Sequence, residues 1–399
     1  MLAQDNFDYP GGRLKIAYFV HDVYDAAVER RIRMFNAGGA STIVLGFRRR
    51  DRPLTELCGA PVIDLGRTED ARMTQRVGAV IGGLMRPGRI LAATLGADVI
   101  VGRNLEAFAL ACRARAAAPT ARLVYECLDI HRLLIGSSLP ARAVQAVQAR
   151  LLGGTNLVLT SSPAFEREYF RPRLLNLPPV HLVENKLLML DDPQAPLAGS
   201  MSAPVSDALP PSPPWTIGWF GMLRCRRTFD LLAELVRSSA GRIKVIIAGR
   251  PSPAQFTDFE ERVAAVPGFT FHGAYVSGDL PKLYAQCHFA WAIDFFEEGL
   301  NSSWLLPNRI YEAMAHGVVP IALDSVEVGR WLSARDAGLV VPDAGPSLRE
   351  ILLTMDPPQL ERLRAEVAAV PATDLIATRA DCDVLLAALR GSFARGDGA

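Results

Sequence analysis

Lysine is almost missing from this sequence of 399 residues: Lys15, Lys186, Lys244 and Lys282 are all there are, so arginine carries nearly all the positive charge. The formal net charge is only +1. That argues against a dedicated nucleic-acid binder, a class with a clear basic excess. The six cysteines (Cys58, Cys112, Cys127, Cys225, Cys287 and Cys382) contain no C-x-x-C pair. Such scatter reads as reduced thiols, not as a disulfide framework. No apolar run reaches the roughly 18 residues of a membrane-spanning helix. The opening MLAQDNFDYPGG has neither a basic start nor an apolar stretch, so no secretory signal is expected. A cytoplasmic protein is the expectation.

Several catalytic signatures are absent as well. No G-x-G-x-x-G follows the first strand-like run, and there is no Walker A lysine motif, which disfavours a nicotinamide dehydrogenase or a P-loop NTPase. H-E-x-x-H is missing and the six histidines are dispersed, so no metal site and no cofactor are expected. A G-x-S-x-G elbow is absent too.

What is present is a repeated alternation of strand and helix. Apolar, β-rich runs occur at 14–20, 41–47, 60–66, 98–104, 122–129, 156–162 and 180–186, with helical stretches between them, including a long one around 69–95. Continuous apolar strands separated by helices predict a parallel sheet covered on both faces. Asp191–Pro214 then holds seven prolines and no aromatic residue, the composition of a linker. A second series follows, with strands at 215–221, 243–249, 269–273 and 289–294 and helices at 227–238, 254–265 and 279–287. The expected class is α/β, with two doubly wound domains. Their boundaries are residues 1–190 for the first, 191–214 for the linker and 215–375 for the second. A C-terminal helix at 376–399 is expected to pack back on the first domain. Ligands of such sheets bind at the carboxyl ends of the strands.

Candidate site residues cluster at those ends. Gly221 closes the first strand of the second domain, and Arg224, Arg226 and Arg227 follow before a helix. A helix start favours an anion, so cations placed there suggest an anion between them. In EEGLNSSWLLPNRIYEAMAHG, Asn301, Ser302 and Ser303 are small donors suited to phosphate or sugar hydroxyls. Pro307 suits a first helical turn, and Asn308, Arg309 and Glu312 come next. Arg309 and Glu312 share a helix face; they form either a surface ion pair or, through the free carboxylate, a grip on two ribose hydroxyls. In the first domain, Glu126, Asp129 and His131 leave a strand together, placed either for general-base work or for helix capping. His21 and Asp22 sit similarly after the first strand and serve as acceptor contacts or as a cap, and Arg103 joins them as an acceptor candidate.

At this point a resemblance is apparent. End to end, the chain resembles the GT-B glycosyltransferases of the group-one, family-four-like type, and is closest in form to bacterial exopolysaccharide enzymes of the succinoglycan kind. GMLRCRR is similar to the family's phosphate clamp, with Arg227 where a lysine is usual. VIIAGRP resembles its nucleotide-contacting strand, which implies that Gly249, Arg250, His272 and Gly273 flank the base. RIYEAMAHGVVPIA resembles the segment that places a glutamate, here Glu312, on the donor ribose. Retaining members carry a second glutamate where this chain has Trp304. The resemblance implies a hexosyltransferase using a nucleotide-diphosphate sugar, UDP-linked, with inversion and without metal. Asp129 is then the expected base, with Glu126 and His131 in reserve. A lipid-linked glycan is the expected acceptor, and the basic, apolar stretch 72–96 a peripheral contact with the cytoplasmic membrane face. The alternatives are a retaining transferase, a non-hydrolysing UDP-sugar epimerase on the same architecture, and a non-catalytic subunit that binds a partner transferase.

Overall fold

The computed structural model describes residues 12–68, 78, 82–85, 87–190 and 209–392. The N-terminal segment, most of the Pro-rich stretch and much of 72–96 lie outside the described residues. The chain divides into two compact units. The first comprises Met1–Glu184, Leu188–Asp191 and Thr378–Ala399; the second comprises Asn185–Leu187 and Asp192–Ala377.

Eight strands make the sheet of the first unit. They are β1 (Leu14–Val20), β2 (Ala40–Arg48), β3 (Glu56–Leu57), β4 (Ala60–Arg67), β5 (Val99–Arg103), β6 (Arg122–Cys127), β7 (Leu157–Thr160) and β8 (Val180–Leu182), in the order β3-β4-β2-β1-β5-β6-β7-β8. All neighbours run parallel except β3, which pairs antiparallel with β4 at the edge. Ile16 to Val20 are all fully buried, which is why β1 reads as an unbroken apolar run instead of an alternation. The C-terminal helix Arg379–Arg390 belongs to this unit: Cys382, Leu385, Leu386 and Leu389 join a core with Ile32, Phe35 and Val44. Arg379 Nη1 also donates to the Ala37 carbonyl at 3.0 Å. Fully burying a leucine is worth about 1.5–3 kcal/mol, so three of them anchor this last helix firmly.

Two expectations are corrected here. The described part of the helix expected around 69–95 is interrupted: residues 82–85 are helical, Pro87 is not, and a new helix runs Gly88–Thr94. Proline lacks the N–H a continuous helix needs. The strand expected over 180–186 stops at Leu182, and a short strand β9 (Leu187–Leu188) follows it.

The second unit holds β10 (Trp215–Leu223), β11 (Ile243–Pro251), β12 (Phe269–Phe271), β13 (Phe289–Trp291), β14 (Val319–Leu323) and β15 (Leu339–Val341). They form a fully parallel sheet in the order β12-β11-β10-β13-β14-β15. Its core includes Trp215, Ile217, Trp291, Ile310 and Leu332. The helix expected at 254–265 is shortened to Phe259–Ala264, because residues 252–256 turn back on themselves through Gln255 N–H and Phe256 N–H to the Ser252 carbonyl. Helix Arg226–Ser238 carries Arg227 in its first turn, and helix Asn308–Ala315 carries Asn308, Arg309 and Glu312.

Candidate functional site

Strand order locates a crevice in each sheet. In the second unit, β10, β11 and β12 are laid down in one direction and β13, β14 and β15 in the other, so the order reverses between β10 and β13. A doubly wound sheet binds ligands at the carboxyl ends flanking such a reversal. In the first unit the reversal lies between β1 and β5. The candidates of the second unit leave the ends of β10 and its neighbours, and those of the first leave β1, β5 and β6.

At the end of β10 the backbone is set up by two glycines. Gly221 has φ +118° and Gly249, its register partner on β11, has φ +144°. A Cβ on Gly249 would lie 1.8 Å from the Gly221 carbonyl oxygen, so the two chains approach as only glycine permits. The Gly249 N–H is bonded to the Gly273 carbonyl at 2.8 Å, and the His272 N–H to the Ile247 carbonyl at 2.9 Å. These bonds bring Gly249, Arg250, His272 and Gly273 to one edge.

Across the reversal, the loop after β13 meets the arginines after β10. Arg224 Nη2 is 3.5 Å from Asp294 Oδ2 and its guanidinium lies 4.6 Å over the Phe296 ring. Arg227 pairs with Glu298 and lies 4.1 Å over Phe295. Both guanidiniums remain partly open to solvent, at 40% and 56%. Arg226 points elsewhere, donating to the Gln255 carbonyl at 2.6 Å. The serines brace the loop: Ser302 Oγ accepts from the Glu297 N–H at 3.0 Å and Ser303 Oγ from the Gly299 N–H at 3.1 Å. Asn301 is buried, whereas Asn308 is exposed at the start of its helix. A small pocket beside this loop is lined by Ala292, Asp294, Ser302, Pro307 and Val326.

Glu312 is half-buried on the Asn308–Ala315 helix. Its Oε2 accepts from the Tyr284 hydroxyl at 3.5 Å. Tyr284 stacks on His316 at 5.3 Å, and the His316 ring nitrogen Nδ1 lies 2.7 Å from the Glu312 carbonyl. Burial and then the Glu312 carboxylate push the Tyr275 phenol up to about 12 and raise Tyr284 as well. Both stay neutral donors beside that carboxylate. Arg309 Nη1 donates to the Trp291 carbonyl at 3.5 Å. The sequence singles out none of Tyr275, Tyr284, Asp294, Phe295 and Phe296 as site residues; the last three closely precede Asn301–Ser303 and Tyr275 follows Gly273, while Tyr284 reaches Glu312 from another helix.

In the first unit Glu126 is 0% exposed. Its Oε1 takes Arg31 Nε at 2.6 Å and its Oε2 takes the Tyr18 hydroxyl at 2.5 Å. Arg103 Nη1 donates to that hydroxyl at 2.8 Å and sits 3.8 Å from Glu126 Oε2. Burial raises the Glu126 carboxyl, but Arg31 and Arg103 outweigh it, and its pKa ends below the ordinary value. A carboxylate so saturated holds charge in place and has no open oxygen for a substrate proton. Asp129 is exposed, and its carbonyl accepts from Cys127 Sγ at 3.7 Å. His131 caps the short helix Arg132–Ile135, its Nδ1 accepting from the Leu133 N–H at 3.3 Å.

Beyond β1, Asp25 and not Asp22 caps the following helix, accepting from the Ala27 N–H at 2.9 Å. Asp22 accepts from the Tyr24 N–H at 3.1 Å and lies 3.7 Å from Arg49 Nε, with its carboxyl raised chiefly by burial. His21 Nε2 is 3.7 Å from Asp25 Oδ2, which also lies 4.0 Å from Arg103 Nη2. Burial, then Arg103, pulls the His21 pKa down to about 4 against the opposing pull of Asp25. Its Nδ1 is buried with no hydrogen-bond partner. His21, Asp25, Arg103, Tyr18, Arg31 and Glu126 therefore form one connected cluster at the reversal of this sheet. Among the described residues no group of three or more His, Cys, Asp or Glu is arranged to hold a metal ion.

Known proteins resemble this chain in sequence and in fold. A family model described as glycosyl transferases group 1 matches residues 214–354. The succinoglycan biosynthesis protein ExoL of Rhizobium meliloti (strain 1021) is 42% identical over 377 residues, covering 94% of this chain and 92% of that protein. Among solved structures, HepE of Anabaena, crystallised with UDP, superposes with a TM-score of 0.67 at 15% identity, covering 95% of this chain and 100% of that one. The α,α-trehalose 6-phosphate synthase of Burkholderia multivorans superposes at 0.65 with 11% identity, covering 95% and 98%. These structures share the GT-B fold. Nothing among these relatives supports the epimerase reading. The chain belongs to the group 1 glycosyl transferases, in one family with ExoL, and is a glycosyltransferase of GT-B fold.

Proposed function

We propose that this enzyme transfers a sugar from a UDP-sugar to a lipid-linked glycan in exopolysaccharide synthesis, with inversion and without a metal. The observation that carries the reading is the pair of arginines at the β10/β13 reversal, Arg224 and Arg227, held partly open beside the Gly221–Gly249 approach. Arg224 and Arg227 take the diphosphate and neutralise it as it leaves. Glu312, oriented by Tyr284, takes the ribose hydroxyls, and the backbone at Arg250 and His272–Gly273 flanks the base. Asn301, Ser302, Ser303, Asn308 and Arg309 complete the donor side. HepE, crystallised with UDP, and ExoL, named for succinoglycan biosynthesis, support the donor and pathway class.

The acceptor hydroxyl gives its proton to Asp129, attacks the anomeric carbon, and UDP leaves with the bonding pair. Trp304, standing where retaining relatives carry a glutamate, favours inversion over retention. The lipid-linked acceptor brings a peripheral membrane contact with it. No helix among the described residues is long and apolar enough to cross a membrane.

A second reading of the base rests on His21. Its lowered pKa keeps it neutral near pH 7, Asp25 stands 3.7 Å from its Nε2, and its Nδ1 has no partner. On this reading Arg103 and Glu126 hold Asp25 and His21 in place. The test is a donor screen followed by transfer to lipid-linked acceptors, with the product anomer read by NMR. Arg224→Ala and Glu312→Ala must each weaken UDP binding, and either Asp129→Ala or His21→Asn must stop transfer while donor binding persists. If both donor variants bind UDP normally, the assignment fails.

A further inference from the structure

The helix Leu139–Leu152 buries a glutamine and leaves apolar side chains exposed. Gln148 is only 4% exposed, its amide donating to the Tyr125 hydroxyl at 3.1 Å and its carbonyl accepting from Tyr169 at 2.5 Å. Gln145 donates inward as well, to the carbonyls of Leu134 at 3.1 Å and Gly136 at 2.8 Å. Part of its apolar surface faces out: Leu139 is 81% exposed and Val147 52%, while Ala141 and Leu152 are buried. Leu139, Ala143, Ala146, Val147 and Arg150 recur at helical spacing and are all exposed. A surface helix ordinarily keeps leucine and valine on its inner face and glutamine on its outer one.

Along the chain through this helix the charge has one sign. Residues 130–165 contain no aspartate or glutamate, while Arg132, Arg142 and Arg150 are exposed among them. The patch continues past Tyr169, which is bonded to Gln148: Arg173 lies 4.6 Å over its ring, and Leu175 beyond is fully exposed. The nearest following acids are already paired, Glu166 with Arg171 and Glu168 with Arg167. A narrow apolar stripe of small side chains rimmed by arginines suits shallow insertion at an anionic lipid surface.

We propose that the outward face of the Leu139–Leu152 helix docks the enzyme on anionic lipid. The proposal deepens the lipid-linked acceptor reading and rests on it for its purpose, but the docking is measured without any transfer. Leucine and valine enter the headgroup boundary, while Arg142 and Arg150 meet lipid phosphates. Each such arginine strengthens binding by about fivefold.

The test is flotation of the full chain with vesicles of phosphatidylcholine alone and of phosphatidylcholine with phosphatidylglycerol. The expected result is flotation with the anionic vesicles only, weakened by added salt. R142E/R150E lowers the partition at least twenty-five-fold, the product of about fivefold per arginine, and L139E/V147E abolishes flotation. Two variants of opposite chemistry guard against a folding defect, and unchanged UDP-induced thermal shifts in both show that the donor reading stands or falls separately. Equal flotation of wild type and both variants overturns the proposal. So does equal binding to neutral vesicles, or a dimer in solution that L139E/V147E splits while vesicles capture nothing.

Discussion

Replacing Glu126 by glutamine separates a structural role from a catalytic one at the residue where the two are most easily confused. Its carboxylate takes Arg31 Nε at 2.6 Å and the Tyr18 hydroxyl at 2.5 Å, with Arg103 Nη1 at 3.8 Å. Arg31 is 3% and Arg103 2% exposed, so neither guanidinium recovers water when the carboxylate is neutralised. Glutamine keeps the volume and one carbonyl acceptor but leaves buried Arg31 without its counter-charge and Arg103 with only Asp25, 4.0 Å away. Breaking a buried pair in this way costs about 3–5 kcal/mol. For a unit of about 200 residues that lowers the melting temperature by roughly 10 °C. Because the folded pKa lies below the ordinary carboxylate value, the contribution is fully present above that ordinary value and is lost as pH falls through the folded one. The deficit of E126Q is therefore full at pH 7 and shrinks in acid.

The assay is a thermal or urea melt at pH 7 and in mild acid, beside a transfer rate taken well below the melt. The expected result is a large melting shift with a transfer rate reduced less than tenfold. Loss of a general base costs about 10²–10⁴ in rate. A variant that melts like the wild type and loses more than a hundredfold in rate refutes the structural assignment and makes Glu126 the base.

Three further outcomes follow from the same geometry. Gly249→Ala sets a methyl against the Gly221 carbonyl and forces a positive φ on a residue with a side chain, so the second unit is destabilised by about 3 kcal/mol or more; a melt with the wild-type midpoint contradicts the close approach. Glu298→Gln frees Arg227 from an acid that competes with phosphate, so UDP binds about two- to fivefold tighter; weaker binding in calorimetry means that Glu298 itself contacts the donor. For His21, the folded pKa of about 4 lies below the ordinary 6.5, so its contribution to stability is present above 6.5 and lost as pH falls toward 4. His21→Asn flattens that part of the stability–pH curve, and if His21 is the base the transfer rate breaks near pH 4; a break near 6.5 removes it from that role.

The strands were legible because a parallel sheet buried on both faces leaves unbroken apolar runs, as residues 16–20 and 245–248 do. Glu312 was legible because its helix follows Pro307 and is closed off by Gly317, which has φ +69°, and both residue types mark helix ends locally. The buried ion cluster was not, since Tyr18 and Arg31 reach Glu126 across 108 and 95 residues and no local pattern encodes such a meeting. Yet one trace of it was available. Val28, Arg31, Ile32 and Phe35 form the buried stripe of the Ala26–Ala37 helix, and an arginine in an apolar stripe requires a buried counter-charge. Glu126 lies inside an equally apolar run, LVYEC. A charge that breaks a buried pattern on one element calls for its opposite breaking a buried pattern on another, and that rule would have moved Glu126 from the candidate bases to the scaffold before any coordinates. The Leu139–Leu152 helix is the converse: Gln148 is buried beside Ala141 and Leu152 while Leu139 and Val147 stand exposed, and a leucine and a valine left on the surface are what docking on lipid accounts for.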